Sequence, residues 1–188
     1  MKKNPFLVKS NLKQIQANIQ KFAMSDVYVG VPADKNDRQS NFTGESDEIT
    51  NAEIAYTNDN GSPAKNIPAR PFMRPGIKKV REKIAQRMGR GIKDILNTGQ
   101  DADVSLMAVG LMAQSAIRGI INAGIAPALS EQTLRQRVES KHGAKGAQAE
   151  LDARAAGAPP SMDYAKPLVW SGQLRNSINF VIRRRGKI

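Results

Sequence analysis

The chain has 188 residues with a hydrophobic share of 40%, which suits a single domain over 1–188. Its formal net charge is +12 and it has no cysteine, so disulfides and thiolate metal sites are excluded. No apolar run approaches the roughly 20 residues that a bilayer requires, and no apolar stretch of about 7–15 residues follows the basic N-terminus. We therefore expect no membrane contact, no signal peptide, and synthesis in a cytoplasm.

The charge is distributed unevenly along the chain. Residues 34–59 hold seven acidic residues against two basic ones, residues 77–100 hold seven basic residues against two acidic ones, and residues 164–188 hold six basic residues and no acidic one. A strongly basic chain favours an anionic partner, either nucleic acid or an acidic protein surface. The segregation would also let identical copies pair head to tail, although it is equally typical of solvated charged faces.

The N-terminal part of the chain is typical of a helix followed by a strand. Apolar residues at steps of three and four predict an amphipathic helix over 11–23. Valines that alternate with other residues predict a half-buried strand over 27–31, which Pro32 ends. Turn-forming and charged residues then predict a flexible loop over 33–48.

A short helix is predicted after this loop. Thr50 is followed three residues later by Glu53, which is the spacing of a capping box. Asn60 and Gly61 suit the left-handed conformation that commonly ends a helix.

Two long helices are predicted in the middle of the chain. Apolar residues at steps of three and four indicate a helix over 77–97, which Gly89 and Gly91 would weaken. The other face of this helix is basic and carries Lys78, Arg81, Arg87, Arg90 and Lys93. A broad apolar surface indicates a second helix over 101–123, buried on two sides.

The C-terminal third combines a loose segment with a final strand. Residues 139–159 are mostly small or charged, without β-branched side chains, so we predict a flexible Ala/Gly-rich segment, at most a loose helix, that buries little. A final strand within 177–183 would pair with the strand at 27–31. The predicted fold class is α+β: a small antiparallel sheet packed against two long helices, with mobile loop and arm segments.

The sequence offers little catalytic chemistry. Its single histidine, His142, lies in the loosest segment, where a solvated side chain is the ordinary outcome. Zinc-protease, nucleophile-elbow, phosphate-loop and calcium-loop motifs are all missing. We therefore predict that the protein is not an enzyme and that it has no catalytic, cofactor-binding or metal-binding residues.

Two fragments resemble a known protein family. They are NAEIAYTNDNGSPAKNIPARPFMRPGI at 51–77 and KPLVWSGQLRNSINFVI at 166–182. Their pairing, with VYVGVP near the start, resembles the tail-completion or neck proteins of long-tailed bacteriophages, including the lambda minor tail protein Z-like and the Mu/P2 virion-morphogenesis groups. The resemblance covers about 27–182, most of the chain.

This resemblance implies a structural subunit of a ring in the virion, at the neck or tail, that completes the tail or joins it to the head. It implies a homo-oligomer, a hexamer, that contacts the neighbouring connector, terminator and tail-tube proteins and needs no cofactor. It also implies that genomic DNA passes through the lumen of the ring.

The proline-rich stretch NIPARPFMRPGI at 66–77 supplies three candidate contact residues. Prolines restrict their own backbone and that of the preceding residue, so the stretch is pre-ordered and loses little entropy on docking. Phe72 would insert into the core or into a neighbouring subunit, while Arg70 and Arg74 would bracket it and pair with carboxylates such as those of 34–59. The alternative interpretation is a stiff link within one chain, packed by Phe72.

The basic C-terminus supplies three more contact candidates. Arg183, Arg184 and Arg185 follow Ile182, the last apolar residue of the predicted final strand, so we expect them to be exposed and to face either the DNA channel or an acidic neighbouring ring.

Two other functions remain open from the sequence. One is sequence-independent DNA binding through the basic helix 77–97 and the basic C-terminal tail, although few aromatics are available for base stacking. The weaker one is a small hydrolase or nuclease, for which the sequence offers no metal or nucleophile constellation.

Overall fold

A computed structural model describes residues 5–37, 49–140 and 142–186. Within these ranges the chain forms seven α-helices and one two-stranded sheet, which confirms the predicted α+β class. In chain order the elements are α1 (Pro5–Ala23), β1 (Ser25–Gly30), α2 (Asn51–Asn60), α3 (Met73–Thr98), α4 (Ala102–Ala123), α5 (Glu131–Glu139), α6 (Ala144–Ala155), α7 (Gln173–Ser177) and β2 (Asn179–Arg184).

The sheet joins the two ends of the described chain. β1 and β2 are antiparallel, with Val27 opposite Ile182 and Ser25 opposite Arg184. This confirms the predicted pairing between the first and last strands. Both strands pack on α4, and Gly110 of that helix lies directly against the ring of Phe180, so no larger side chain fits there.

Helices α3 and α4 form the central antiparallel pair. Gly76 lies against Ile117, where an added Cβ would stand 2.7 Å from the Ile117 Cα, and Gly91 lies against Ser105. The earlier glycine of α3 contacts the later residue of α4, and the later glycine contacts the earlier one, so the two helices are antiparallel. Gly91 lowers helix propensity, as the sequence predicts, but it also permits the close approach of α4.

Helix α1 packs where α3 ends and α4 begins. Asn18 donates its Nδ2 protons to the carbonyl oxygens of Gly99 and Gln100 at 2.9 and 3.1 Å, so it satisfies groups that the helix end leaves without partners. Lys21 forms an ion pair of 2.7 Å with Asp101, the N-cap residue of α4. The polar contacts of α1 therefore hold the turn between the two long helices.

The predicted capping box of α2 is confirmed. The Thr50 side chain accepts from the Glu53 backbone, and the Glu53 carboxylate accepts from the Thr50 backbone at 2.8 Å. Near the other end of α2, Asp59 Oδ1 accepts from the backbone N–H groups of Phe72 and Met73 at 2.7 and 3.0 Å. Helix α2 thus fixes the start of α3 through the single carboxylate of Asp59, which lies at the positive N-terminal end of α3.

Residues 139–159 form more structure than the sequence suggests. Helix α6 packs against α5, with Ala147 fully buried and Glu150 only 1% exposed. These are the two buried residues among the described part of 139–159, so the segment buries little apolar surface, as expected, although alanine and glycine allow a close contact at Gly146, which lies against the carbonyl oxygen of Tyr164. The other segment predicted to be flexible is 33–48. Its residues 33–35 form a 3₁₀ turn, and its residues 38–48 lie outside the described residues.

Among the described residues, α4 is the one helix long and apolar enough by length and composition to cross a membrane. The expectation that no apolar run approaches this length is therefore wrong. A core helix passes the same test, and α4 packs against α3, β1 and β2.

Candidate functional site

Phe72 belongs to the core of its own chain. Its side chain is fully buried in a cluster with Ile117, Ile121 and Ile178. Of the two placements expected for Phe72, insertion into the core of its own chain is the one observed, which fits the interpretation of 66–77 as a stiff link. Its burial follows from the fixed start of α3, which turns the first residues of the helix toward α4.

Arg70 also points inward, but it does not pair with a carboxylate of 34–59 as expected. It is 7% exposed, and its Nη2 donates to the carbonyl oxygen of Pro127 at 3.0 Å. Burial lowers the pKa of the Arg70 guanidinium below its ordinary value. Arg74 lies on the outside of the first turn of α3 and stays an exposed contact candidate. The two arginines therefore do not bracket Phe72 as a pair.

The two fragments that carry the family resemblance meet in the core. Phe72 of the first fragment and Ile178 of the second share one apolar cluster, although they are 106 positions apart in the sequence. Arg118 of α4 holds the second fragment by donating to the carbonyl oxygens of Asn176 and Ile178. Gly172 starts α7 with a φ of 79°, a left-handed conformation that favours glycine.

The basic C-terminal residues are exposed, as predicted, but they are tied to the fold. Arg184 belongs to β2 and approaches Asp103 at 3.4 Å. Arg185 forms two hydrogen bonds with Asp26, and this contact lowers the pKa of that carboxyl below its ordinary value. Arg183 lies over the Tyr28 ring at 5.8 Å.

The final strand extends to Arg184, one residue beyond the predicted range, so these arginines form an anchored edge of the sheet rather than a free tail. Lys187 lies outside the described residues.

The long helices carry exposed apolar rows that the sequence does not distinguish from core positions. On α3, Met88, Ile92 and Leu96 recur every four residues and are 38%, 43% and 51% exposed. The seam with α4 instead runs through Gly76, Gly91 and Ile95. On α4, the exposed apolar row consists of Val104, Met107 and Leu111. Such rows of neighbouring apolar side chains are typical of surfaces that contact another molecule.

Helix α3 also carries an exposed basic face. Lys79, Lys83 and Arg90 are separated by four and seven residues, so they lie on one side of the helix, and all three are exposed. Of the basic residues named from the sequence, Arg87 is half-buried and approaches Asp94 at 3.5 Å. The basic face is thus distinct from the apolar row at Met88 and Ile92.

No family model, curated protein or solved structure matches this chain. Within the described part of the chain, no group of three or more histidine and carboxylate side chains could hold a metal ion. His142 is exposed, and its backbone carbonyl accepts from the Trp170 indole N–H at 2.7 Å.

Proposed function

We propose that this protein is a structural subunit of a bacteriophage neck or tail-completion ring, located in the virion and traversed by DNA. The observation that carries the proposal is the shared core of Phe72 and Ile178. The two fragments on which the resemblance depends form one structural unit, as expected if they were retained together for a common fold.

The exposed apolar rows support assembly. Another subunit that packed against α3 and α4 would bury the three exposed apolar side chains on each helix. Burial of apolar area stabilises an interface by roughly 25 cal/mol per Å². Ring subunits use two different surfaces for the two neighbours, since a ring closes through head-to-tail contacts. The α3 and α4 rows are candidates for two such surfaces, and the hexameric state follows from the family resemblance alone.

The test is a charge placed in the α3 row. We expect Leu96→Glu to abolish ring formation while the melting temperature of the monomer stays nearly unchanged, because Leu96 is already half exposed. Light scattering after size exclusion and electron microscopy measure the assembly. Asn97→Glu is the matched control, since it adds the same charge at the adjacent exposed position. Normal rings from Leu96→Glu would remove this row from the interface.

The exposed basic face of α3 favours a second candidate, sequence-independent binding to duplex DNA. The affinity of such binding falls with salt by a log–log slope of about −0.9 for each phosphate neutralised. If Lys79, Lys83 and Arg90 each contact a phosphate, changing all three to Gln should make that slope shallower by roughly 2 to 3.

The control for this DNA measurement is the triple change of Lys65, Arg135 and Lys145 to Gln, which removes the same number of charges outside α3. Fluorescence anisotropy with a duplex at several salt concentrations measures both. Equal slopes for the two triple variants would remove the α3 face as a DNA site.

A further inference from the structure

A cavity of about 650 Å³ opens between the C-terminal half of α2, the proline-rich stretch, α5 and the segment before α7. Its walls combine polar and apolar residues, and the apolar part includes Ile54, Pro68, Pro127 and Trp170. Arg70 and Arg137 also line it. No sequence pattern singles out Arg137, which lies on α5, 67 positions from Arg70.

Both arginines are more than nine-tenths buried, at 7% and 6% exposure. Their described hydrogen bonds go to neutral backbone carbonyls: Arg70 to Pro127, and Arg137 Nη1 to Lys166 and Val169 at 3.0 and 3.2 Å. The Nε atom of each has no partner within the described residues. Buried charges are ordinarily paired, because desolvation without a counter-charge is costly.

The electrostatics of the site favour an anion. Burial, together with the smaller effect of the positive charge of Arg70, lowers the pKa of Arg137 to about 10. The contrast within the chain is Arg154, which is partly buried and forms an ion pair of 2.9 Å with the buried Glu150. An anion between Arg70 and Arg137 would offset both their desolvation and their mutual repulsion.

We propose that this cavity binds a carboxylate side chain presented by an acidic segment of a partner protein. Glutamate and aspartate combine an anionic tip with an apolar stem, which suits two guanidinium groups set among proline, isoleucine and tryptophan walls. Arginine matches carboxylate oxygens with its forked N–H groups. The net charge of +12 on the chain also draws an acidic partner toward it.

Duplex DNA fits this cavity less well than a protein side chain does. The phosphates of a duplex lie on the outside of a wide rod, and proteins contact them with cations at the surface. Arg70 and Arg137 lie below the surface, whereas the exposed basic face of α3 is open to a duplex. This inference does not depend on the proposed ring, since the site is complete in one chain.

The single tryptophan of the chain makes the proposal testable in solution. Trp170 lines the cavity, and the Arg137 guanidinium carbon lies 5.8 Å from its ring centroid. We expect a hexaglutamate peptide to change Trp170 emission in a saturable way and to raise the melting temperature of the full chain. Hexaglutamine should do neither.

Substitutions of the two arginines test whether they bind the hexaglutamate peptide. We expect Arg70→Gln and Arg137→Gln each to weaken hexaglutamate binding by about thirtyfold or more. Arg74→Gln, which removes an exposed arginine of the same stretch, should bind as the wild type does. If a glutamine variant fails to fold, Arg70→Lys and Arg137→Lys keep the charge but lose the forked geometry, and they should bind more weakly than the wild type.

Three outcomes would overturn the proposal. The first is no emission change and no rise in melting temperature of the wild type with hexaglutamate. The second is unchanged hexaglutamate affinity in the arginine variants. The third is displacement of the peptide from the wild type by duplex DNA or by inorganic phosphate at equal concentrations of negative charge, which would assign the cavity to phosphate groups instead.

Discussion

Replacing Phe72 with alanine is expected to lower the free energy of unfolding by about 3–5 kcal/mol. The side chain is fully buried against Ile117, Ile121 and Ile178, so its loss removes apolar burial and leaves a cavity between α3, α4 and the segment before β2. The neighbouring backbone is held by Asp59, which limits how far the site can collapse to fill the space.

Urea denaturation followed by circular dichroism measures this loss, and Tyr56→Ala is the control. Tyr56 is 72% exposed on α2, so its removal should change the free energy of unfolding by less than about 0.5 kcal/mol. A Phe72→Ala variant with wild-type stability that no longer forms rings would contradict the buried position and favour docking on a neighbour.

Replacing Glu150 with alanine is expected to cost about 3 kcal/mol. Its carboxylate accepts from the backbone N–H and the hydroxyl of Ser161, both at 2.7 Å, and from Arg154 Nε at 2.9 Å. Removing it leaves the arginine without its counter-charge and Ser161 without an acceptor in a largely buried site.

The matched control is Glu131→Ala. Glu131 and Arg135 form the same four-residue pairing on α5, but both side chains are exposed, and such pairs contribute only about 0.3–0.5 kcal/mol. Thermal melting of both variants measures the difference. Equal, small losses would mean that α6 does not hold Glu150 in a buried site.

The Glu150 effect should also depend on pH. Burial by itself raises the pKa of this carboxyl, but the hydrogen bonds from Ser161 and the contact with Arg154 outweigh it, so the pKa lies below its ordinary value near 4.5. A lowered pKa contributes stability that is present above the ordinary value and is lost as the pH falls through the folded-state value.

We therefore expect the stability difference between the wild type and Glu150→Gln to be constant near neutral pH and to shrink below about pH 4. A difference that grows as the pH falls would reverse the assigned direction.

The features predicted correctly from the sequence depend on short-range patterns. The capping box at Thr50 and Glu53 requires only a spacing of three residues, and the long helices follow from repeats of three and four. The pairing of β1 with β2 was also predicted, because side chains of alternating character mark both segments and the sequence has no other strong strand pattern. These elements were enough to predict the α+β class.

The candidate site was predicted less well, because its contacts join distant parts of the chain. Charge alone predicts that Arg70 pairs with the acidic segment, whereas the structure places it in the same cavity as Arg137. Residues 139–159 were judged by their lack of large apolar side chains, but Glu150 is buried through hydrogen bonds to Ser161, which composition does not reveal.

The sequence by itself determined the long helices, the strands and the positive charge, because propensity, periodicity and composition are local properties. Only the tertiary structure decided which apolar row of α3 faces α4, since Gly76 and Gly91 allow close approach on one side and leave Met88, Ile92 and Leu96 exposed. It also decided that Phe72 is core and that Arg70 and Arg137 share a cavity. Burial depends on how elements pack, and packing is set by contacts between residues that are far apart in the chain.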